Sequence, residues 1–367
     1  MSTLFANRKD RTLYVHDGAA NYIVAHIFQI IFQLLFSIIV IATMTQEEKT
    51  SFSGTFVYMI IICIVNQISI GFTPLSYSKV LGQNYYKDMG FNKKLSLAQI
   101  GLLVLIAIAL VFAFTPVANW IAQIFIKSGY DTSNLTSLVV TNPVELIISI
   151  FFVALMPACF EEILYRGMIA RAFARKNFIF AIFMGAFMFA IMHASPVQFV
   201  HQFMLGLVCC IVFFATGSIY ASIIAHLTNN LIAVVGSYIL YYHPLSIPIW
   251  GMILMVVFGI LALTILLYVF VVLNNKDASL KNGIQSIDEV FRKCFAANLK
   301  TNDDEIKDEA IEQKIEDIGL EEMREVYAQE KELRSQDEKL KAKRGMIFAL
   351  ALAIIMFVVN TITGYMA

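Results

Sequence analysis

The chain has 367 residues, 59% of them hydrophobic and 15% charged, with formal net charge +0 and a mean hydropathy of +0.72. Soluble domains run nearer one-half apolar and about one-quarter charged, so this balance excludes an ordinary soluble domain and describes a multi-pass membrane protein. Without a basic patch or an aromatic-interleaved strand, the chain also offers nothing for nucleic acid.

A membrane span needs about 20 apolar residues. Nine stretches qualify: residues 22–44, 54–73, 96–117, 141–163, 178–194, 197–215, 219–240, 248–273 and 346–366. The fold expected is an all-α polytopic membrane protein with an eight-helix core, a charged helical insertion and a ninth span. Its divisions are a transmembrane core over 1–275, a charged segment over 276–345 and a C-terminal transmembrane helix over 346–367. No short leader with a small-residue cleavage site is read ahead of the first span, which is expected to remain as an anchor. No internal repeat or low-complexity tract interrupts the pattern.

The N-terminal segment carries Arg8, Lys9 and Arg11. The loop after the second span carries Lys79, Lys87, Lys93 and Lys94, and the loop after the fourth carries Arg171, Arg175 and Lys176. The loops between them are poor in base: 45–53 has Lys49 against Glu47 and Glu48, and 118–140 has Lys127 against Asp131. Lysine and arginine concentrate in short cytoplasmic loops. In a nine-span count this places the N-terminus and 276–345 in the cytoplasm and Ala367 outside, in a cell membrane.

The first span holds His26, which alone among apolar neighbours reads as a hydrogen-bonded packing residue. Glu145 opens the fourth span near the outer surface, where an interfacial role is expected. Glu161 and Glu162 then lie deep in the same apolar stretch, where a carboxylate costs about 2.5–3.5 kcal/mol and is seldom accidental. Glu162 and Arg166 are an i,i+4 pair on one helix face, while Glu161 points about 100° away. Glu162 is therefore expected to be structural, and Glu161 free to face a wet cavity as a base.

The fifth span carries Phe189 and His193, again i,i+4, followed by Ala-Ser-Pro, which should end the helix near the cavity. With the turn at Lys176 and Asn177, Glu161 lies fifteen residues before it and His193 sixteen after. At about 1.5 Å per residue both are about 22–24 Å from the turn, so an antiparallel hairpin levels them. His201 opens the sixth span, five residues after Pro196, and is a candidate supporting group. The seventh carries His226 and Asn230 on one face, in HLTNN, with Asn229 rotated away. His226 is about 15 Å deep from the turn at Thr216 and Gly217, less than two helical turns shallower than Glu161. Tilt or a break at Gly167 would close that difference. His16 and His243 fall in loops and are expected to be solvated.

Residues 276–345 hold about half of all the basic residues and two-thirds of the acidic ones. Opposite charges recur at helical spacing, as on a solvated helix. Ile306, Ala310, Ile311, Ile315 and Ile318 add a thin apolar stripe, suited to a helical hairpin or extension or to a cytoplasmic partner. Of the five cysteines, Cys63, Cys159, Cys209 and Cys210 lie in spans and Cys294 in this segment; no CxxC pair occurs, so no disulfide framework is expected.

Three pieces in order, Glu161-Glu162…Arg166, Phe189…His193 and His226…Asn230, resemble the CPBP or Abi family. That family groups type II CAAX prenyl endopeptidases with bacteriocin-processing and self-immunity membrane proteases. The resemblance covers residues 140–245; the 276–345 insertion and ninth span lie outside its usual eight-helix pattern. It implies an intramembrane endopeptidase in which Glu161 and His193 activate a water and His226 and Asn230 stabilise the oxyanion. Glu162, Arg166 and Phe189 would support them. A buried glutamate suits a general base, and a histidine with an asparagine amide can donate to a developing oxyanion. No serine or cysteine is placed as a nucleophile.

No cofactor is expected. The alternative is a divalent metal such as zinc, for which Glu161, His193 and His226 would be the ligands, although without the HExxH spacing that puts ligands on one helix. The implied partners are a membrane-associated peptide or protein tail and the bilayer itself. Rival readings are a non-proteolytic scaffold or bacteriocin self-immunity protein keeping the same cavity, and a proton-coupled transporter, whose usual two-half symmetry is missing.

Overall fold

The computed structural model describes residues 13–80, 84–131, 139–274 and 321–366. These residues are helical and contain no strand. In chain order the helices are α1 (Val15–Thr43), α2 (Gln46–Ser53), α3 (Phe56–Val80), α4 (Tyr85–Asp88) and α5 (Leu97–Lys127). Then come α6 (Pro143–Phe173), α7 (Phe178–Met192), α8 (Phe199–Thr216), α9 (Ile219–Tyr242), α10 (Ile249–Asn274) and α11 (Glu321–Met366). Eight of them are at least 18 residues long and apolar enough to cross a membrane: α1, α3, α5, α6, α8, α9, α10 and α11. The chain is an all-α, multi-pass membrane protein.

Large apolar side chains point outward along the spans, among them Leu34, Ile38 and Ile41 on α1 and Ile253, Phe258 and Leu261 on α10. In water such a surface would be an aggregation hazard; against acyl chains it is the solvated face. Inside, small residues let the helices approach. A Cβ added at Gly206 of α8 would lie 2.8 Å from the Cα of Ala186 on α7, and one at Gly259 of α10 would lie 2.5 Å from the backbone nitrogen of Ala113 on α5. With no hydrophobic effect to drive association within lipid, this close backbone packing holds the bundle together.

Three local features position the site. First, α6 is not a uniform α-helix: Ile150–Leu155 and Ile163–Ala170 are wound as π-helix. Pro157 cannot donate to the carbonyl of Val153 and its ring crowds that oxygen, so the preceding turn widens. Second, the expected fifth span stops as the fifteen-residue α7. At about 22 Å it is shorter than the roughly 30 Å hydrocarbon layer. Ala194 turns left-handed at φ 48, Pro196 follows, and the chain reverses into α8. Irregular backbone at such depth persists only where protein or a cavity satisfies it, and here the Nδ2 of Asn360 on α11 donates to the carbonyl of Ala194. Third, α8 ends at Gly217, left-handed at φ 65, whose N–H closes on the carbonyl of Phe213 at 2.7 Å, so that α9 returns directly beside it.

The turn expected at Lys176 and Asn177 is present, and the Asn177 side chain caps α7 by accepting from the Phe180 N–H. Of the charged segment, 276–320, with its isoleucine stripe and Cys294, lies outside the described residues, as do Arg8, Lys9 and Arg11. Residues 321–345 run straight into the last span as one helix, α11, of 46 residues. Gly345 packs near Ala19 of α1, and Glu338 meets the His16 ring at 3.1 Å. His16 therefore belongs to the first turn of α1, half-buried against α11, and not to a solvated loop. His243 is exposed beyond α9, as expected.

Candidate active site

Glu161 and Glu162 leave α6 on two different sides. Glu162 is fully buried, and its Oε1 accepts from the Nη1 of Arg166 at 2.8 Å, one helical turn away. Arg166 is itself 0% exposed; it donates from Nη2 to the carbonyl of Gly206 at 3.0 Å and lies 4.7 Å over the Phe189 ring. A buried ion pair is tolerated when further hydrogen bonds offset its desolvation, and the contact to Gly206 does part of this, while Glu162 Oε2 and Arg166 Nε have no hydrogen-bond partner among the described residues. The same Oε1 of Glu162 accepts from the Nδ1 of His226 at 2.7 Å. The acid expected to be purely structural therefore also holds a motif histidine.

That contact closes the depth difference. The π-wound turn Ile163–Ala170 contains Gly167, and its wider turns shorten the rise of α6 on the way to the loop. His226 reaches the level of the two glutamates, with its Nδ1 on Glu162. Its other nitrogen, Nε2, lies 3.9 Å from the Oε2 of Glu161.

Glu161 is 5% exposed and faces a cavity of about 700 Å³. His193, His226 and Asn230 line the same cavity, so all four motif residues meet there. The Oε1 of Glu161 accepts from the Nε2 of Gln67 on α3 at 2.7 Å, while its buried Oε2 has no hydrogen-bond partner among the described residues. His193 is the residue that ends α7. Its Nδ1 lies 3.0 Å from the Phe189 carbonyl, which leaves Nε2 as its remaining polar atom. Phe189 sits between the histidines, edge-on to His193 with centroids 5.0 Å apart and to His226 at 5.6 Å. Glu161 and His193 share the cavity without a direct hydrogen bond.

Asn230 is oriented by a chain of amides. His201 Nε2 lies 3.0 Å from the Oδ1 of Asn229, and the Nδ2 of Asn229 donates to the Oδ1 of Asn230 at 3.1 Å. The Nδ2 of Asn230 makes only a long 3.5 Å contact with the carbonyl of Ala154, in the first π-wound turn of α6. Asn229, expected to point away, thus engages its neighbour, and His201 supports the site through it. Among the remaining sequence candidates, His26 is buried and bonded to the Tyr22 carbonyl at 2.6 Å, a packing role. Glu145 accepts from the N–H and hydroxyl of Thr141 at 2.8 and 2.7 Å, completing the cap of α6.

Residues 143–232 match the family model described as type II CAAX prenyl endopeptidase Rce1-like. Among curated proteins and solved structures, none matches the chain. The Rce1-like segment runs from the start of α6 to just past Asn230, so it contains every motif residue. The family resemblance read from the three motifs is shown over this segment, and it supports a CAAX-type intramembrane protease kind of function.

Gln67 lies outside the Rce1-like segment, on a helix from which sequence reasoning drew no site residue. A signal was present: Asn66 and Gln67 are adjacent amides in the middle of an apolar span. Such amides are informative within hydrocarbon, but no ionisable neighbour or family motif marks these two. Among the described residues, no three His, Cys, Asp or Glu side chains are gathered so as to hold a metal ion. The Nε2 of His226 stands 3.9 Å from the Oε2 of Glu161, close to the separation of two ligands on one tetrahedral ion, and Glu162 on its Nδ1 is the kind of carboxylate partner that ligating histidines have.

Proposed function

We propose that the chain is an intramembrane endopeptidase that hydrolyses a peptide bond of a membrane-associated peptide or protein tail by a glutamate-activated water, without a metal. The observation that carries this reading is the convergence of Glu161, His193, His226 and Asn230 on one cavity within the Rce1-like segment.

In the proposed reaction a water sits between the unpaired Oε2 of Glu161 and the Nε2 of His193. Glu161 takes a proton from the water as its oxygen attacks the substrate carbonyl carbon. The carbonyl oxygen becomes an oxyanion and receives the Nδ2–H of Asn230, whose only competing contact is the long one to Ala154. Because Glu162 is acceptor-only when ionised, the Nδ1 of His226 carries a proton and its Nε2 faces Glu161. A proton on the Nε2 of His226 would donate to the oxyanion as well, with Glu162 holding the ring from Nδ1. Collapse of the tetrahedral intermediate breaks the C–N bond, and the proton held by Glu161 passes to the leaving amine. Glu162 and Arg166 position, and do not touch, the reacting atoms.

The basic loops further favour a cytoplasmic N-terminus and 276–345 segment, with Ala367 outside. The test is a comparison of small membrane-associated peptides from cells expressing wild type or Glu161→Gln. A product present only with wild type is expected. An identical peptide set, with any biological effect intact, would overturn the reading in favour of a scaffold or self-immunity protein.

A further inference from the structure

Six primary amides outside the three motifs line the cavity: Gln29 and Gln33 one turn apart on α1, Asn66 and Gln67 on α3, Gln202 on α8, and Asn360 on α11, whose Nδ2 is already given to the Ala194 carbonyl. Those on α3 are tied to their surroundings. The Nε2 of Gln33 donates to the Oδ1 of Asn66 at 2.7 Å, and Gln67 reaches Glu161. Yet the buried Oε1 atoms of Gln29, Gln67 and Gln202 have no hydrogen-bond partner among the described residues. An unmet buried carbonyl is costly, and more so within hydrocarbon. Three such carbonyls belong to residues that line one cavity, beside an unpaired carboxylate oxygen, and together make a set of unmet acceptors there.

We propose that this wall docks the backbone of an extended, uncharged peptide segment and lays its scissile bond against Glu161. The inference rests on the peptidase reading and names its substrate class. A peptide bond inside a helix has its N–H and C=O engaged, so hydrolysis requires the segment to unwind. Within a membrane each freed N–H then needs a new acceptor. Amide side chains present both a carbonyl acceptor and N–H donors, and so match a peptide group without a charge. Strand-like docking of this kind takes its affinity from the main chain and leaves side-chain identity loosely specified. The cavity volume of about 700 Å³ suits a short segment of a few residues. Among the described residues that line the cavity, Glu161 is the only Asp, Glu, Lys or Arg side chain, so no lysine or arginine there meets a terminal carboxylate or a phosphate headgroup.

The test uses the full chain in lipid nanodiscs and a short Ala/Leu/Ile peptide, acetylated and amidated, carrying a fluorophore and a quencher. A parallel series replaces each backbone N–H in turn by an ester oxygen, which deletes one donor without altering the protein. Binding is measured on Glu161→Gln protein, and cleavage on wild type. Ester substitution at two or three positions is expected to weaken binding about three- to tenfold, and that sensitivity is expected to vanish at one position in Gln29→Met and at another in Gln202→Met. Failure of the parent peptide to bind, a flat ester series, or equal binding of a version with a free carboxylate terminus would each overturn the proposal. Glu161-dependent cleavage with a flat series would sink the docking wall alone. Ester-sensitive binding without cleavage by wild type would keep the wall and sink the peptidase reading.

Discussion

The region behind Glu162 and the region in front of Glu161 are built from different materials. Behind, α6, α7 and α8 close on Arg166, the largest fully buried side chain, and on backbone contacts too tight for a Cβ at Gly206. The Glu162 carboxylate there holds both the Arg166 guanidinium and the His226 ring. In front, α1, α3 and α11 present half-buried amides to a cavity and apolar side chains to lipid, and several polar atoms are left unmet. One step along α6, about 100° of rotation, carries a carboxylate from the first region into the second. The lesson is that adjacent identical residues take opposite roles when a helix lies on the boundary between packed interior and cavity.

The largest expected effect tests that boundary directly. Glu161→Gln should lower cleavage by roughly 10²–10⁴-fold, the range for a lost general base, with thermal unfolding little changed. Glu162→Gln should instead destabilise the fold by about 3–5 kcal/mol, because Arg166 and His226 lose their shared anion. Arg166→Met should do the same, and the double variant Glu162→Gln with Arg166→Met should recover much of the loss. Unfolding curves of the four proteins in one lipid mixture decide it. Equal destabilisation by Glu161→Gln would erase the distinction.

The next effect lies at the cavity's far edge. Asn230→Ala should lower kcat by about 10²–10³-fold with KM nearly unchanged, as removal of one oxyanion donor does. His201→Phe acts only through Asn229 and should cost less, about 0.5–1.5 kcal/mol in activation free energy, since one neutral hydrogen bond is lost. A larger loss for His201→Phe than for Asn230→Ala would mean that His201, and not Asn230, meets the reacting atoms. On the packed side, Gly206→Ala should destabilise by about 1–3 kcal/mol through overpacking against Ala186.

Much of the packed region was legible in the sequence, because it is written in ionisable residues at helical spacing. The Glu162–Arg166 pair follows from an i,i+4 interval, and the levelling of Glu161 with His193 follows from counting residues to the Asn177 turn. His226 was legible only as a residue slightly too shallow; the π-wound turn that brings it in depends on how α6 packs, which periodicity does not encode. The shortness of α7 was half-written in Ser195-Pro196 and half-hidden, since its carbonyl end is met by Asn360, which lies far away in sequence. The amide wall escaped because glutamine and asparagine in a span carry no charge to flag them. The last helix was read as a plain span, yet it supplies Ile355, Met356 and Val359 to the cavity lining.

Asn360 gives the smallest and most local test of how the two regions are joined. Its Nδ2–H donates to the carbonyl of Ala194, the residue immediately after His193, where the chain leaves α7 in a left-handed turn. Asn360→Leu removes that donor and keeps the bulk. Because the contact is partly open to its surroundings, the loss should be near one ordinary hydrogen bond, about 0.5–1.5 kcal/mol of stability. Its functional signature should be distinct from that of the amide wall. A freer turn loosens His193 and lowers kcat, whereas loss of a docking amide raises KM. Asn360→Gln, which can still donate, should restore part of the rate. A KM effect in Asn360→Leu with kcat intact would place Asn360 among the docking amides and leave His193 held by its Phe189 contact alone.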